Sequence, residues 1–161
     1  KARAPSPVMR VTAMEIEDLK DKLLRARADH HERLDSSGYP NHKSAAEQGI
    51  LTRILAVCDV YAALLMPRAW RAGISPDKAI KEMIAHPEKF DRQVVGRIVQ
   101  RVGIFPVGSM VKLSDGRKAE VVEIHPANPL RPVVTAIASG RPQKLDLSKT
   151  PGLTILEIVP P

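Results

Sequence analysis

Apolar residues recur at Ile16, Leu19, Leu23 and Leu24, the spacing that lines one face of a helix. Thr12 precedes them with Glu15 three residues on, the arrangement of a capping box. Continued past Arg27, the stripe reaches His30 and Leu34, so the helix is predicted to run that far. Asp35, Ser36, Ser37, Gly38 and Pro40 then break it into a loop. A second helix is predicted from about Glu47 to Met66. Its centre, ILAVCDVYAALLM, is apolar nearly all round, which predicts burial on most sides. Pro67 ends it. A third starts at Ser75-Pro76-Asp77, with Ser75 as cap and Pro76 at the first helical position. Its inner face is Ala79, Ile80, Met83 and Ile84, and His86-Pro87 stops it. A fourth covers about Arg92 to Val102 and closes on Gly103.

The period then shortens. Ser109 to Leu113, Ala119 to Ile124, Pro132 to Ile137, Lys144 to Leu147 and Thr154 to Val159 alternate or are β-branched. Ser114-Asp115-Gly116, Pro126 to Pro129 and Ser139-Gly140 separate them as turns, Asp115-Gly116 being a strong hairpin signal. Helices followed by a small antiparallel β-module make an α+β arrangement. The expected organisation is a tail or linker at 1–12, a helical domain at 13–104 and the β-module at 105–161.

Composition adds limits. With 161 residues, 43% of them apolar but only 3% aromatic, aliphatic side chains must fill the core. The net charge of +7 is spread along the chain and suits an anionic partner without choosing one. Stacking aromatics are almost lacking in the β-region, which disfavours nucleic acid. Cys58, the single cysteine, excludes an internal disulfide and is expected to be a buried, inert thiol. No apolar stretch is long enough for a membrane-spanning helix, and a reducing, cytoplasmic setting is expected.

Three features could carry chemistry. Asp59 has Leu55, Ala56, Ala62 and Ala63 as helical neighbours, so a buried carboxylate is expected, needing an arginine, a metal ion or a proton. Arg53 lies on another face. His30 and His31 would point about 100° apart on a helix. Together with Glu32 and Asp35 they offer the imidazole and carboxylate donors that suit iron, manganese or zinc, or else they are packed core residues. Gly38-Tyr39-Pro40 is either an ordinary turn or a rigid loop holding an acidic ligand or a second chain.

The run HHERLDSSGYP, residues 30–40, resembles the motif H-H-E-x-x-D-G-x-G-Y-P of the HD-GYP family. Arg53 to Tyr61, RILAVCDVY, is similar to that family's R-I-x-x-V-A-D-x-Y, and Arg68 and Arg71 to its R-P-Y-R. GIFPVGSMVKL, Arg131-Pro132-Val133 and DLSKTPGLTI also resemble family members, so the similarity covers about residues 29–160. It implies a helical core holding divalent metal ions and hydrolysis of cyclic di-GMP or a related nucleotide. It further implies His30, His31 and Asp59 as metal ligands, Arg68 and Arg71 as phosphate-binding residues, and Asp35, Gly38, Tyr39 and Pro40 as the motif loop.

The chain departs from the pattern. No histidine and no His-Asp pair occurs before His30, where the family places its HD dyad. Ser36 replaces the first loop glycine, and Ala62 the second acid of D-x-Y-D. The expectation is a partial HD-GYP core, inactive or incomplete as this chain and serving a regulatory or ligand-binding role, with the metal site occupied or empty. The alternatives are an enzyme completed by further residues or a partner chain, and a basic nucleic-acid or protein-binding module. Apolar helix faces left without cover predict a homo-oligomer.

Overall fold

The computed structural model describes residues 12–138 and 141–160. Residues 1–11 of the expected tail at 1–12, and the Ser139-Gly140 turn, lie outside them. The first helix, α1 (Ala13–Asp29), starts as predicted: the Thr12 hydroxyl accepts from the Glu15 amide at 3.3 Å, and the Glu15 carboxylate accepts from the Thr12 amide at 2.7 Å. It stops at Asp29, short of the predicted Leu34. Side chains there compete for the backbone groups a helix would use. The His30 ring lies 2.6 Å from the Arg27 carbonyl, and Arg33 donates to the Glu32 carbonyl at 2.8 Å. Glu32 turns inward and is fully buried.

The second helix, α2 (Ile50–Leu65), buries only Thr52, Ala56 and Val57. The predicted burial on most sides is therefore corrected: Ile50, Ile54 and Leu55 are exposed. Among the described residues α1, α3 (Pro76–Ala85) and α4 (Arg92–Val102) pack on α2 and leave those apolar flanks open. Cys58 is exposed as well, contrary to the buried thiol expected. On α3, Ser75 occupies the capping position without a side-chain hydrogen bond. Ala79, Ile80 and Met83 are buried, but Ile84 is exposed. The helical core is Val57, Ile80, Met83, Phe90, Val94 and Val95.

Asp91 caps α4, its Oδ1 accepting from the amides of Gln93 at 2.9 Å and Val94 at 3.3 Å. Its Oδ2 accepts from Arg53 Nη1 at 2.8 Å. Arg53 thus ties α2 to α4, and its hydrogen bond holds the Asp91 carboxyl below the usual carboxylate range. A depressed folded-state value stabilises the fold above the unfolded value and loses that contribution as pH falls through the folded one. Asp91→Asn keeps the cap oxygen but loses the charge. It is expected to cost about 1–2 kcal/mol near neutrality, a difference that begins to shrink below about pH 4 and closes once the pH is under the lowered folded-state value. Urea unfolding of both proteins across pH 3–7 checks this.

Five strands follow: β1 (Met110–Leu113), β2 (Lys118–Glu123), β3 (Val133–Ala138), β4 (Arg141–Asp146) and β5 (Ile155–Ile158). They form one antiparallel sheet in the order β4-β3-β2-β1-β5. Asp115-Gly116 makes the β1–β2 turn, with Gly116 at φ 88°, a conformation that favours glycine. β4 begins at Arg141, earlier than the predicted Lys144. Arg141, Pro142, Gln143 and Lys144 are all exposed on this edge strand, so no in–out alternation marks it. A second core of Phe105, Val111, Leu113, Ala119, Val121, Val134, Ala136, Leu147 and Leu153 completes an α+β fold.

Candidate metal centre

The end of α1 and the third turn of α2 bring His30, His31 and Asp59 together. One ligand atom from each lies within 4.8 Å of the others, the only such group among the described residues. His31 Nδ1 stands 3.8 Å from Asp59 Oδ2. The His30 and His31 rings are 4.0 Å apart, centroid to centroid, and no longer project from a helix. Asp59 is exposed rather than buried: its side chain is 45% accessible, so the expected desolvation problem does not arise. An open pocket of about 400 Å³ is lined by Arg27, His30, Leu55, Cys58 and Asp59.

The donor set fits a divalent ion. A carbonyl only accepts, so the 2.6 Å contact to Arg27 fixes the His30 proton on Nδ1. That leaves the Nε2 lone pair free, the arrangement in which histidine ligates metals. Ligands ~2.1 Å from a tetrahedral ion lie about 3.4 Å apart, so rotamer adjustments of about 1 Å close the cluster. Imidazole and carboxylate suit iron, manganese or zinc.

Behind the histidines, the motif loop is built on the backbone of residues 31–33. The buried Glu32 carboxylate accepts from the Asn41 amide at 2.6 Å and the Lys43 amide at 3.0 Å. Asp29 is buried and pairs with Lys43 at 2.5 Å. Tyr39 stacks on His31 with centroids 4.6 Å apart. A Cβ on Gly38 would overlap the Glu32 Cα and lie 2.5 Å from both Arg33 N and His31 O. Gly38 is thus needed because the loop crosses the histidine pair backbone to backbone. Asp35 does not join the cluster; it accepts from the Ser37 amide at 3.0 Å, and Ser37 holds its carboxyl below the usual range.

Ser36 adopts φ 63°, a region that costs a side-chain-bearing residue about 1–2 kcal/mol. Ser36→Gly is expected to stabilise the protein by about 0.5–1 kcal/mol once glycine's greater unfolded-state entropy is counted. Chemical denaturation checks this.

Arg68 and Arg71 lie outside the cluster, past the C-terminus of α2. They form a two-residue turn closed by Arg68 N to Arg71 O at 2.7 Å and Arg71 N to Arg68 O at 3.1 Å. The Arg71 guanidinium donates to the Ala63 carbonyl at 2.7 Å, one turn beyond Asp59, where a cation also meets the negative end of the helix dipole. Arg68 is exposed. The roles of Glu32, Asp29 and Arg27 had no signal in spacing, since each depends on contacts made only when the loop folds back.

Residues 11–94 match the HD domain family, and residues 110–161 match the KOW domain associated with HD domain. A cyclic di-GMP phosphodiesterase of Pseudomonas aeruginosa is 40% identical over 112 residues, 70% of this chain and 27% of the relative. A cyclic di-GMP phosphodiesterase of Borreliella burgdorferi is 28% identical over 109 residues, 67% of this chain and 29% of the relative. A 3'3'-cGAMP-specific phosphodiesterase of Vibrio cholerae is 39% identical over 61 residues, 38% of this chain and 13% of the relative. The chain therefore spans under a third of the length of these relatives. No solved structure matches it. With its paired histidines, its Gly-Tyr-Pro loop and a family match over more than half its length, the chain belongs to the HD domain family, in the HD-GYP group.

Proposed function

We propose that the chain supplies His30, His31 and Asp59 to the metal centre of a phosphodiesterase acting on a cyclic dinucleotide. The observation that carries this is their convergence within 4.8 Å beside a pocket with a cation, Arg27, on its wall. A bound divalent ion would supply Lewis acidity at the phosphate and lower the pKa of water. Arg27, and Arg68 past the end of α2, would attract the phosphates as positive charges. His30 and His31 would be held in place by the Arg27 carbonyl and the Tyr39 ring.

These 161 residues contain no His-Asp pair, so by themselves they are proposed to bind the ligand without turning it over. The test is a cyclic di-GMP hydrolysis assay with manganese, run beside equilibrium dialysis of the same ligand. Binding without hydrolysis is expected, and metal-dependent turnover by the monomer would overturn incompleteness. Absence of binding would overturn the dinucleotide reading.

A second reading, completion by a further copy of the chain, is favoured by one observation. Leu19, Leu23, Ile50 and Ile54 on α1 and α2 are exposed, an apolar surface of the kind that oligomers cover. Turnover appearing only in a dimeric fraction separated by light scattering would select it. In either case a cytoplasmic setting, with a helical domain at 13–104 and a β-module at 105–161, is part of the proposal.

A further inference from the structure

We infer that Trp70 is a base-stacking platform for the ligand, an inference that rests on the dinucleotide reading above. Trp70 is the single tryptophan of the chain. Tryptophan is highly buried on average, yet this one is 79% exposed. It belongs to neither hydrophobic core of the described residues.

The turn that carries it is pinned at several points. Arg68 and Arg71 exchange both backbone hydrogen bonds, at 2.7 and 3.1 Å, and the Ile74 amide donates to the Leu64 carbonyl at 2.9 Å. Arg71 donates to the Ala63 carbonyl at 2.7 Å. A Cβ on Gly73 would overlap the Leu65 carbonyl, so the chain at residue 73 passes directly against the end of α2. The indole is thus presented on a preorganised support, which removes much of the ordering cost of binding.

Its placement suits a nucleotide. Arg71 is anchored at Ala63, four residues and roughly 6 Å of helix beyond Asp59. Arg68, one residue further from Trp70 than Arg71, is exposed. An aromatic face for a base and a cation for a phosphate, carried two residues apart on one hydrogen-bonded turn, are the combination by which proteins hold single-stranded nucleotides. Stacking also tolerates different bases, since every base has a π-face.

The lone tryptophan makes the test direct. Cyclic di-GMP is titrated into the full chain without metal while indole fluorescence is followed, and equilibrium dialysis measures binding independently. Saturable quenching is expected with cyclic di-GMP, and none with ribose 5-phosphate. Trp70→Ala is expected to weaken binding about 5- to 150-fold without moving the Tm, and Trp70→Phe to retain most of the affinity. Unchanged fluorescence and unchanged Trp70→Ala affinity, with binding intact by dialysis, would overturn the platform and leave the dinucleotide reading standing. Equal quenching by ribose 5-phosphate would also overturn it, as an effect of the anion alone. Absence of binding by dialysis would remove both.

Discussion

Alanine at Gly38 is expected to destabilise the protein by about 2–3 kcal/mol, the upper part of the range for forcing extra volume into a packed site. The added methyl would meet Arg33 N and His31 O at 2.5 Å, and both are backbone atoms that no rotamer change can move. Relief requires the loop to lift from residues 31–33. Lifting it strains the two backbone hydrogen bonds to Glu32 and would leave a fully buried carboxylate without partners, itself costly. Tyr39 would leave His31 as well, so the loss includes the stacking that holds the ring. The control has the opposite sign. Gly96, inside α4, has nothing within 4 Å of an added Cβ, and Gly96→Ala is expected to stabilise by about 0.5–1 kcal/mol from helix propensity alone. Urea unfolding of the two variants checks both values.

The second large effect concerns metal. His30→Ala, His31→Ala and Asp59→Ala are each expected to lower divalent-metal affinity by at least about 100-fold, since changes at mere supporting residues already cost 10- to 100-fold. Each side chain is at least one-third accessible or lies at the end of a helix, so truncation should leave the fold intact. A control is available at the same surface. Cys58 lines the pocket with His30 and Asp59 but does not join the cluster of ligand atoms, so Cys58→Ala should leave manganese affinity within about two-fold of the parent. Calorimetric titration of manganese or zinc, with circular dichroism to verify folding, distinguishes the outcomes.

How much of this was legible before the structure depends on the kind of interaction. Helix α4 and the α1 cap were read to the residue because local rules determine them: a capping box, an apolar stripe and a terminal glycine. His30, His31 and Asp59 are each legible as possible ligands from residue type, but as one site only through the motif, because residues 29 positions apart are joined by chain folding and not by periodicity. The end of α1 was misplaced because the apolar stripe continues to Leu34 while the backbone is captured by His30, Glu32 and Arg33. The burial of α2 was overestimated for a related reason. An apolar sequence shows what a helix could bury, but the packing partners decide what it does bury, and here Ile50, Ile54 and Leu55 remain open. Glu32 has a ligand's side chain by type, but its carboxylate instead holds the loop, accepting from the amides of Asn41 and Lys43.

The account turns on whether His30, His31 and Asp59 form one metal site. The most direct measurement is manganese binding to the 161-residue chain by electron paramagnetic resonance, compared with the three alanine variants. The prediction is saturable binding at about one ion per chain in a nitrogen- and oxygen-donor environment, lost together in all three variants while their circular dichroism is unchanged. Absence of saturable binding, or binding that survives each of the three substitutions, would contradict it.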